Sequence, residues 1–262
     1  MARDDAHPGP RSDHPGPSAR TGVVAALPAE LGPLGGAGGS RLGIRIHETC
    51  AGEGGRIVAA LSGVGKVAAA AAAAALVEEG VDRLLVVGTC GGLRAGDPVG
   101  QLVHARRAVQ WDLAVREGRE HAPDPELLEA WMDVAGGVEG TCFTADRPAI
   151  RFRDRVRRAR ATGPGDGVPV ADMETAAVAA VASQAGIPWA ALRVISDARP
   201  GWGGVLAAAG GGLLGGLLGG VLPGRPVGGA ALRAFEEALR AHGGRPAGTV
   251  HELCRRLAAR SD

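Results

Sequence analysis

Apolar and polar positions divide the chain into short runs with two different periods. Val23-Val24-Ala25-Ala26-Leu27 is uninterrupted and stops at Pro28, the pattern of a strand buried on both faces. Leu42 to Glu48 alternates, as a strand with one wet face does. Arg56 to Leu61 and Arg83 to Val87 are again continuous apolar runs. Between them, Ser62-Gly63-Val64-Gly65-Lys66 opens an alanine run through Glu79, a composition with high helix propensity. Further strands are predicted over 101–111, 138–144 and 189–195. Helices are predicted over 125–134, 152–161 and 172–185, the last stopped by Gly186. Two amphipathic helices, 230–241 and 249–259, follow. Strands interleaved with helices in this order predict an α/β layer fold.

Two segments fall outside that pattern. Residues 1–20 have hardly an apolar side chain and are expected to be a disordered tail, leaving 21–262 as a single domain. Residues 203–222 (GGVLAAAGGGLLGGLLGGVL) are uncharged and about one bilayer long if helical. Nearly half of them are glycine, which weakens a helix by roughly 1 kcal/mol per residue relative to alanine. An apolar insertion near a ligand, loop or broken helix, is therefore expected rather than a membrane span.

Composition narrows the function classes. The 262 residues are 45% apolar, enough for one substantial core. A net charge of +1 provides no basic field for nucleic acid, and tyrosine is absent with aromatics at only 3%, which removes the stacking platforms of single-strand binders. The four cysteines form no C-x-x-C pair, so no metal site and no redox motif is expected. No positively charged start followed by an apolar stretch is visible, and the expectation is a cytoplasmic protein with free thiols.

Chemistry concentrates in two places. Val170-Ala171-Asp172-Met173-Glu174-Thr175-Ala176-Ala177 puts a carboxylate at the start of an alanine-rich helix, and Arg193-Val194-Ile195-Ser196-Asp197 puts another at the end of an apolar strand. In an open α/β sheet, strand C-termini and adjacent helix N-termini converge on the ligand crevice. Each acid also has a plain alternative: Glu174 as a complement to the helix dipole, Asp197 as a helix cap. Ser62 to Lys66 fails as a phosphate loop, since Ala60 stands where the first glycine should be and Val67 follows the lysine. Gly88-Thr89-Cys90-Gly91-Gly92 reads as a turn after a central strand, where backbone amides can approach a ligand or simply reverse the chain.

Taken with Glu30 just after the first strand, these pieces resemble the purine nucleoside phosphorylase and nucleosidase superfamily, and most nearly its 5′-methylthioadenosine/S-adenosylhomocysteine nucleosidases. The matching residues are Ala25 to Glu30, Ser62 to Ala69, Gly88 to Gly92, Gln110-Trp111-Asp112, Asp172 to Ala177 and Ile195-Ser196-Asp197, in family order. The resemblance implies a mixed, twisted central sheet flanked by helices and hydrolysis of the N-glycosidic bond of a 5′-substituted purine nucleoside. It implies Asp197 as general acid toward the base, oriented by Ser196, and Glu30 as activator of the water. Glu174 would hold the ribose hydroxyls, Met173 would pack on the sugar, and Thr89, Cys90 and Gly91 would line the site. No cofactor is implied, the partner is a small-molecule nucleoside, and a homo-oligomer, a dimer by resemblance, is expected.

Departures from the family bear on substrate and nucleophile. Phosphorylases of the superfamily carry a phosphate-binding arginine in the strand before the glycine turn; here that strand ends Val86-Val87-Gly88, and an acid, Glu30, occupies the first loop. Hydrolysis is therefore favoured. Phosphorolysis, with Arg106, Arg107 or Arg147 on phosphate, and nucleoside binding without catalysis remain the alternatives. The aromatic that usually covers the base is replaced by Pro148 or Ala149, with Phe143 or Phe152 as substitutes. The apolar insertion also suits a hydrophobic 5′ group such as adenosylhopane's, and futalosine is a further candidate.

Overall fold

The computed structural model describes residues 19–35, 38–51, 55–94, 96–147, 152–197, 237 and 240–260. Residues 1–18 of the expected tail, the 203–222 insertion, Pro148, Ala149 and nearly all of the helix expected at 230–241 lie outside the described residues, whereas Arg20, the last residue of that expected tail, begins the first strand. Among the described residues, ten strands form one mixed sheet. They are β1 (Arg20–Ala25), β2 (Gly38–Arg41), β3 (Ile44–Cys50), β4 (Arg56–Leu61), β5 (Arg83–Gly92), β6 (Leu102–Gln110), β7 (Glu120–His121), β8 (Val138–Thr144), β9 (Val168–Asp172) and β10 (Trp189–Asp197). The described helices are α1 (Pro28–Leu31), α2 (Lys66–Glu78), α3 (Pro125–Ala135), α4 (Phe152–Arg160), α5 (Thr175–Ala185), α6 (Arg245–Gly248) and α7 (Val250–Ala259).

Period-two alternation explains why the central strands read as continuous apolar runs. Val23, Ala25, Ile57, Ala59, Leu61, Leu85 and Val87 face one core. Val24, Val58, Ala60, Leu84 and Val86 face the other. Helices α2 and α5 cover the second face, and their alanines (Ala69, Ala72, Ala73, Ala176, Ala179, Ala182) form its outer wall. Trp131 of α3 and Leu253 of α7 close the first face. Trp131 is fully buried, and its indole N–H donates to Thr249 Oγ1 at 2.7 Å, joining α3 to the start of α7.

Strand β5 makes the site. Its first half pairs in parallel with β1 (Thr21 with Arg83 through Val24 with Val86) and with β10. Its last residues leave β1 and pair antiparallel with β9, Gly91 with Ala171 and Gly92 with Val170. Five strands thereby close on themselves, in the ring β5–β10–β6–β8–β9. The glycine segment expected to be a turn is thus the bent end of a strand. Glycine tolerates the bend because Gly88 takes a φ of +148°, in the range that side-chain-bearing residues avoid. Where β5 departs from β1, the C-terminal ends of β1, β4 and β5 lie side by side, the general location of ligand sites in such sheets.

Two boundaries differ from the sequence reading in a way that matters. Asp172 ends strand β9 instead of opening the helix, which begins at Thr175 with Glu174 as its N-cap. Strand β9 is only five residues long and includes a proline, which hid it from the periodicity. Strands β2 and β7 are short and polar and carry no hydrophobic signal.

Replacing Trp131 with alanine should cost about 3–5 kcal/mol through the cavity and the orphaned Thr249 hydroxyl. Urea unfolding of the variant checks this.

Candidate active site

The chain leaves β1 at Ala25 and turns into α1 with Pro28 at the first helical position. Glu30 then folds back over the turn. Its Oε2 accepts from the amides of Ala26 (3.1 Å) and Leu27 (3.0 Å). Its Oε1 accepts from the Thr89 amide and the Thr89 hydroxyl, both at 2.8 Å. Four donors therefore hold one buried carboxyl group against the bent end of β5. Thr89, expected to bind water or sugar, is engaged with Glu30.

Beneath Glu30 lies Arg193, the largest charged group in the core, at 1% exposure. Its Nε donates to Thr175 Oγ1 at 2.9 Å. Its Nη2 sits 2.7 Å from Asp172 Oδ2 and 3.6 Å from Glu174 Oε2. The shorter contact is an ion pair without hydrogen-bond alignment, so Nη2 retains donor capacity within the site. Asp172 is further held by Thr144 Oγ1 at 2.5 Å and by the Thr175 amide and hydroxyl. Gly88 completes the arrangement by having no side chain: a Cβ there would fall 2.6 Å from Arg193 Nη1 and 2.9 Å from Glu30 Oε1.

Glu174 faces the same centre. Its Oε1 accepts from the Gly65 amide at 3.0 Å, which ties the glycine turn after β4 to the start of α5. Burial pushes the Glu174 carboxyl up to about 7; Arg193 pulls against this, and the nearby Asp172 and Glu30 add to it. Burial works against the Arg193 charge as well, but Asp172, Glu174 and Glu30 outweigh it and raise the guanidinium's affinity for its proton. The adjacent Lys66 binds Asp112 at 2.6 Å and lies 3.6 Å from Asp146, pinning two loops at the rim.

The remaining expected residues are placed as follows. Asp197 ends β10, its backbone paired with Gly91 after a register shift that sets Ser196 in a bulge; its side chain lies outside the description. Ser196 is buried, and its hydroxyl donates to the Cys90 carbonyl at 3.2 Å. Cys90 is buried, Gly91 is partly exposed, and Met173 is half-buried in the bend between β9 and α5. Phe143, considered as a cover for the base, is 1% exposed and packs edge-on against Trp111 at 5.3 Å, leaving no free ring face. The side chain of Phe152 lies outside the description. Arg106 pairs with Glu139 and Arg107 with Asp166 and Glu120, so neither is held in reserve for phosphate.

Arg193 belongs to the site although the sequence motifs assign it no role. The signal was available: one arginine inside the run Ala190 to Ile195, where charged residues are almost never buried unless paired. Asp172 lacked such a signal, because nothing in its neighbours shows that it meets Arg193. Among the described residues no cluster of His, Cys, Asp and Glu could hold a metal ion, and no helix is long and apolar enough to cross a membrane.

Comparison with known proteins agrees with this geometry. The family model described as the phosphorylase superfamily matches residues 20–208. No curated protein matches the sequence. Among solved structures, the 5′-methylthioadenosine/S-adenosylhomocysteine nucleosidase of Helicobacter pylori superposes with a TM-score of 0.71 at 18% identity, covering 90% of this chain and 97% of that one. Futalosine hydrolase of the same organism gives 0.69 at 18% identity, covering 92% and 98%. The 5′-methylthioadenosine/S-adenosylhomocysteine nucleosidase of Neisseria meningitidis gives 0.69 at 23% identity, covering 89% and 97%. At these identities the likeness establishes the fold.

Arg193→Met should destabilise the protein by about 3–5 kcal/mol, since it leaves Asp172 and Glu174 buried without their cation; denaturant unfolding measures the loss. The raised Glu174 carboxyl has its own signature. Its folded form holds the proton more tightly than the unfolded chain, whose ordinary value is 4.5, so the stability it contributes is complete at low pH and declines as pH rises from about 4.5 through about 7. The difference in unfolding free energy between the parent and Glu174→Gln should follow that decline.

Proposed function

The chain belongs to the phosphorylase superfamily, and we propose that within it the protein is a nucleosidase, hydrolysing the N-glycosidic bond of a 5′-substituted purine nucleoside of the methylthioadenosine/S-adenosylhomocysteine kind. The observation that carries this reading is the position of Glu30. A buried carboxyl, fixed by four donors at the mouth of β5, occupies the place where a phosphorolytic enzyme needs positive charge. Such a group repels phosphate and suits water. Similarity to solved nucleosidases supports the same choice.

The proposed roles follow from the contacts. Water bound at Glu30 attacks the anomeric carbon and loses its proton to that carboxylate. Of the four donors on Glu30, only the Thr89 hydroxyl can rotate away, so it is the one that yields its place to water. Arg193 Nη2, with donor capacity left, holds the water from the other side. The glycosidic bond breaks with its electron pair going to the base, and Asp197 supplies the proton the base requires. Positive charge developing on the sugar is met by Glu174, whose Oε2, 3.6 Å from Arg193 Nη2, has lone-pair capacity for a ribose hydroxyl while Oε1 stays on Gly65. Met173 packs on the sugar, and Ser196, Cys90 and Gly91 form the wall beside Asp197. Self-association belongs to the same proposal.

Release of free base from a nucleoside panel, measured by liquid chromatography with and without phosphate, tests the reading. Base and free sugar independent of phosphate are expected; ribose 1-phosphate would establish a phosphorylase instead, and binding without release a nucleoside-binding protein. Glu30→Gln and Asp197→Asn should each lower kcat by about 10²- to 10⁴-fold with the fold intact.

A further inference from the structure

The register of β8 with β9 places two acids at equal distances past a fixed pair. Thr144 pairs with Asp172, so Asp146 and Glu174 each stand two residues beyond them, on adjacent strand ends. The Thr144 side chain holds both Asp172 and the Ala176 amide, which keeps those ends together. The turn after β4 lies across the two. Its Gly65 amide donates to Glu174 Oε1 at 3.0 Å, and the next amide, that of Lys66, donates to Asp146 Oδ1 at 3.1 Å. These N–H groups open α2, whose N-cap is Gly65 and so has no side chain to satisfy them.

By itself this turn has little stiffness. Gly63 and Gly65 take φ values of +83° and +105°, and glycine has the most backbone freedom to lose. Ser62 anchors its start, with its amide donating to the Ala25 carbonyl at 2.9 Å. The other end is held from outside, by a closed set of contacts through Lys66. The Lys66 ammonium donates to Asp112 Oδ1 at 2.6 Å and lies 3.6 Å from Asp146 Oδ2. The Asp146 amide donates to Asp112 Oδ2 at 3.0 Å, and the Lys66 amide completes the set at Asp146. One side chain, only 17% exposed, thereby ties the segments that follow β4, β6 and β8. Burial pushes the Asp112 carboxyl up, but hydrogen bonds from Lys66 and the Asp146 amide outweigh it and hold the group below its ordinary value. The contacts therefore stay charged at neutral pH. An exposed ion pair adds little to stability; what this one fixes is the place of the Gly65 amide.

We propose that Lys66, Asp112 and Asp146 are positioning residues for Glu174: by fixing the turn after β4 they keep the Gly65 amide on Oε1, which leaves Oε2 to the sugar. The Gly65 bond also favours the ionised form of Glu174, the form that meets positive charge on the sugar. The charges that act on Glu174 are Arg193 from β10, Asp172 from β9 and Glu30 from α1. Release of the turn therefore reaches Glu174 through one lost hydrogen bond and not through a changed neighbouring charge. The inference rests on the nucleosidase reading for the sugar it names, and it adds the residues that set the Glu174 carboxylate.

The test reads the Glu174 titration in Lys66→Met, Asp112→Ala and Lys66→Arg. Without turnover, it is the pH at which the unfolding free-energy difference between each protein and its Glu174→Gln derivative levels off, about 7 in the parent. With turnover, it is the acid limb of kcat/KM for methylthioadenosine. Loss of one hydrogen bond to a charged group should move both about one pH unit higher in Lys66→Met and in Asp112→Ala, with kcat/KM roughly fivefold lower at about pH 7 and near the parent's at about pH 9. Lys66→Arg should restore the parent's behaviour. A through-space effect has opposite signs in the two variants, since removing the cation raises the titration and removing the anion lowers it. Opposite movements, no movement in either variant, or a fall in kcat/KM that is the same at every pH would overturn the proposal. Movement of the unfolding titration with no base released from any nucleoside would keep the positioning role and sink the nucleosidase reading; base release with both titrations unmoved would do the reverse.

Discussion

The ion pair between Arg193 and Asp172 is the interaction on which the rest of the site depends. It joins β10 to β9 across the interior of the closed strand ring, with both side chains almost fully excluded from water. A buried pair of this kind gains little net stability over apolar packing, because desolvation offsets the attraction. Its value lies in position. Thr144, Thr175 and the Thr175 amide fix the Asp172 carboxylate, which fixes the guanidinium, which in turn sets the spacing of Glu30 and Glu174 above it.

That chain of contacts requires backbone to pass close to side chain, and β5 meets the requirement. Having followed β1 for four residues, it bends at Gly88 and continues against β9. The bend exposes the Thr89 amide and hydroxyl to Glu30 and leaves the Arg193 guanidinium directly under a residue with no side chain. One departure of a strand from its neighbour thus provides donors for one carboxylate and makes room for the cation between the others. Glu30, Gly65 and Glu174 then arrive from separate parts of the chain, after β1, β4 and β9.

Electrostatics follow from this crowding. Three carboxyl groups share one guanidinium in a dry space, and burial pushes up the carboxyl of Glu174, which accepts from a single backbone amide, that of Gly65. A few residues away the balance is reversed, with guanidinium groups around Trp111 and the nearest acid engaged by Lys66.

The sequence by itself determined the elements whose signals are local. Uninterrupted apolar runs marked β1, β4, β5 and β10, the alanine run marked α2, and Gly186 marked the end of α5, because side-chain period and backbone preference act over a few residues. Family-like pieces also singled out Glu30, Glu174 and Asp197. Tertiary structure alone decided what those residues touch. The strand β9 that holds Asp172, the continuation of β5 through its glycines, the commitment of Thr89 to Glu30 and the burial of Phe143 under Trp111 all result from contacts between positions far apart in the chain. Arg193 shows the division most clearly. Its presence in an apolar strand announces a buried charge that must be paired, but the partner lies 21 residues earlier on another strand, and only the closing of the strand ring brings the two within 2.7 Å.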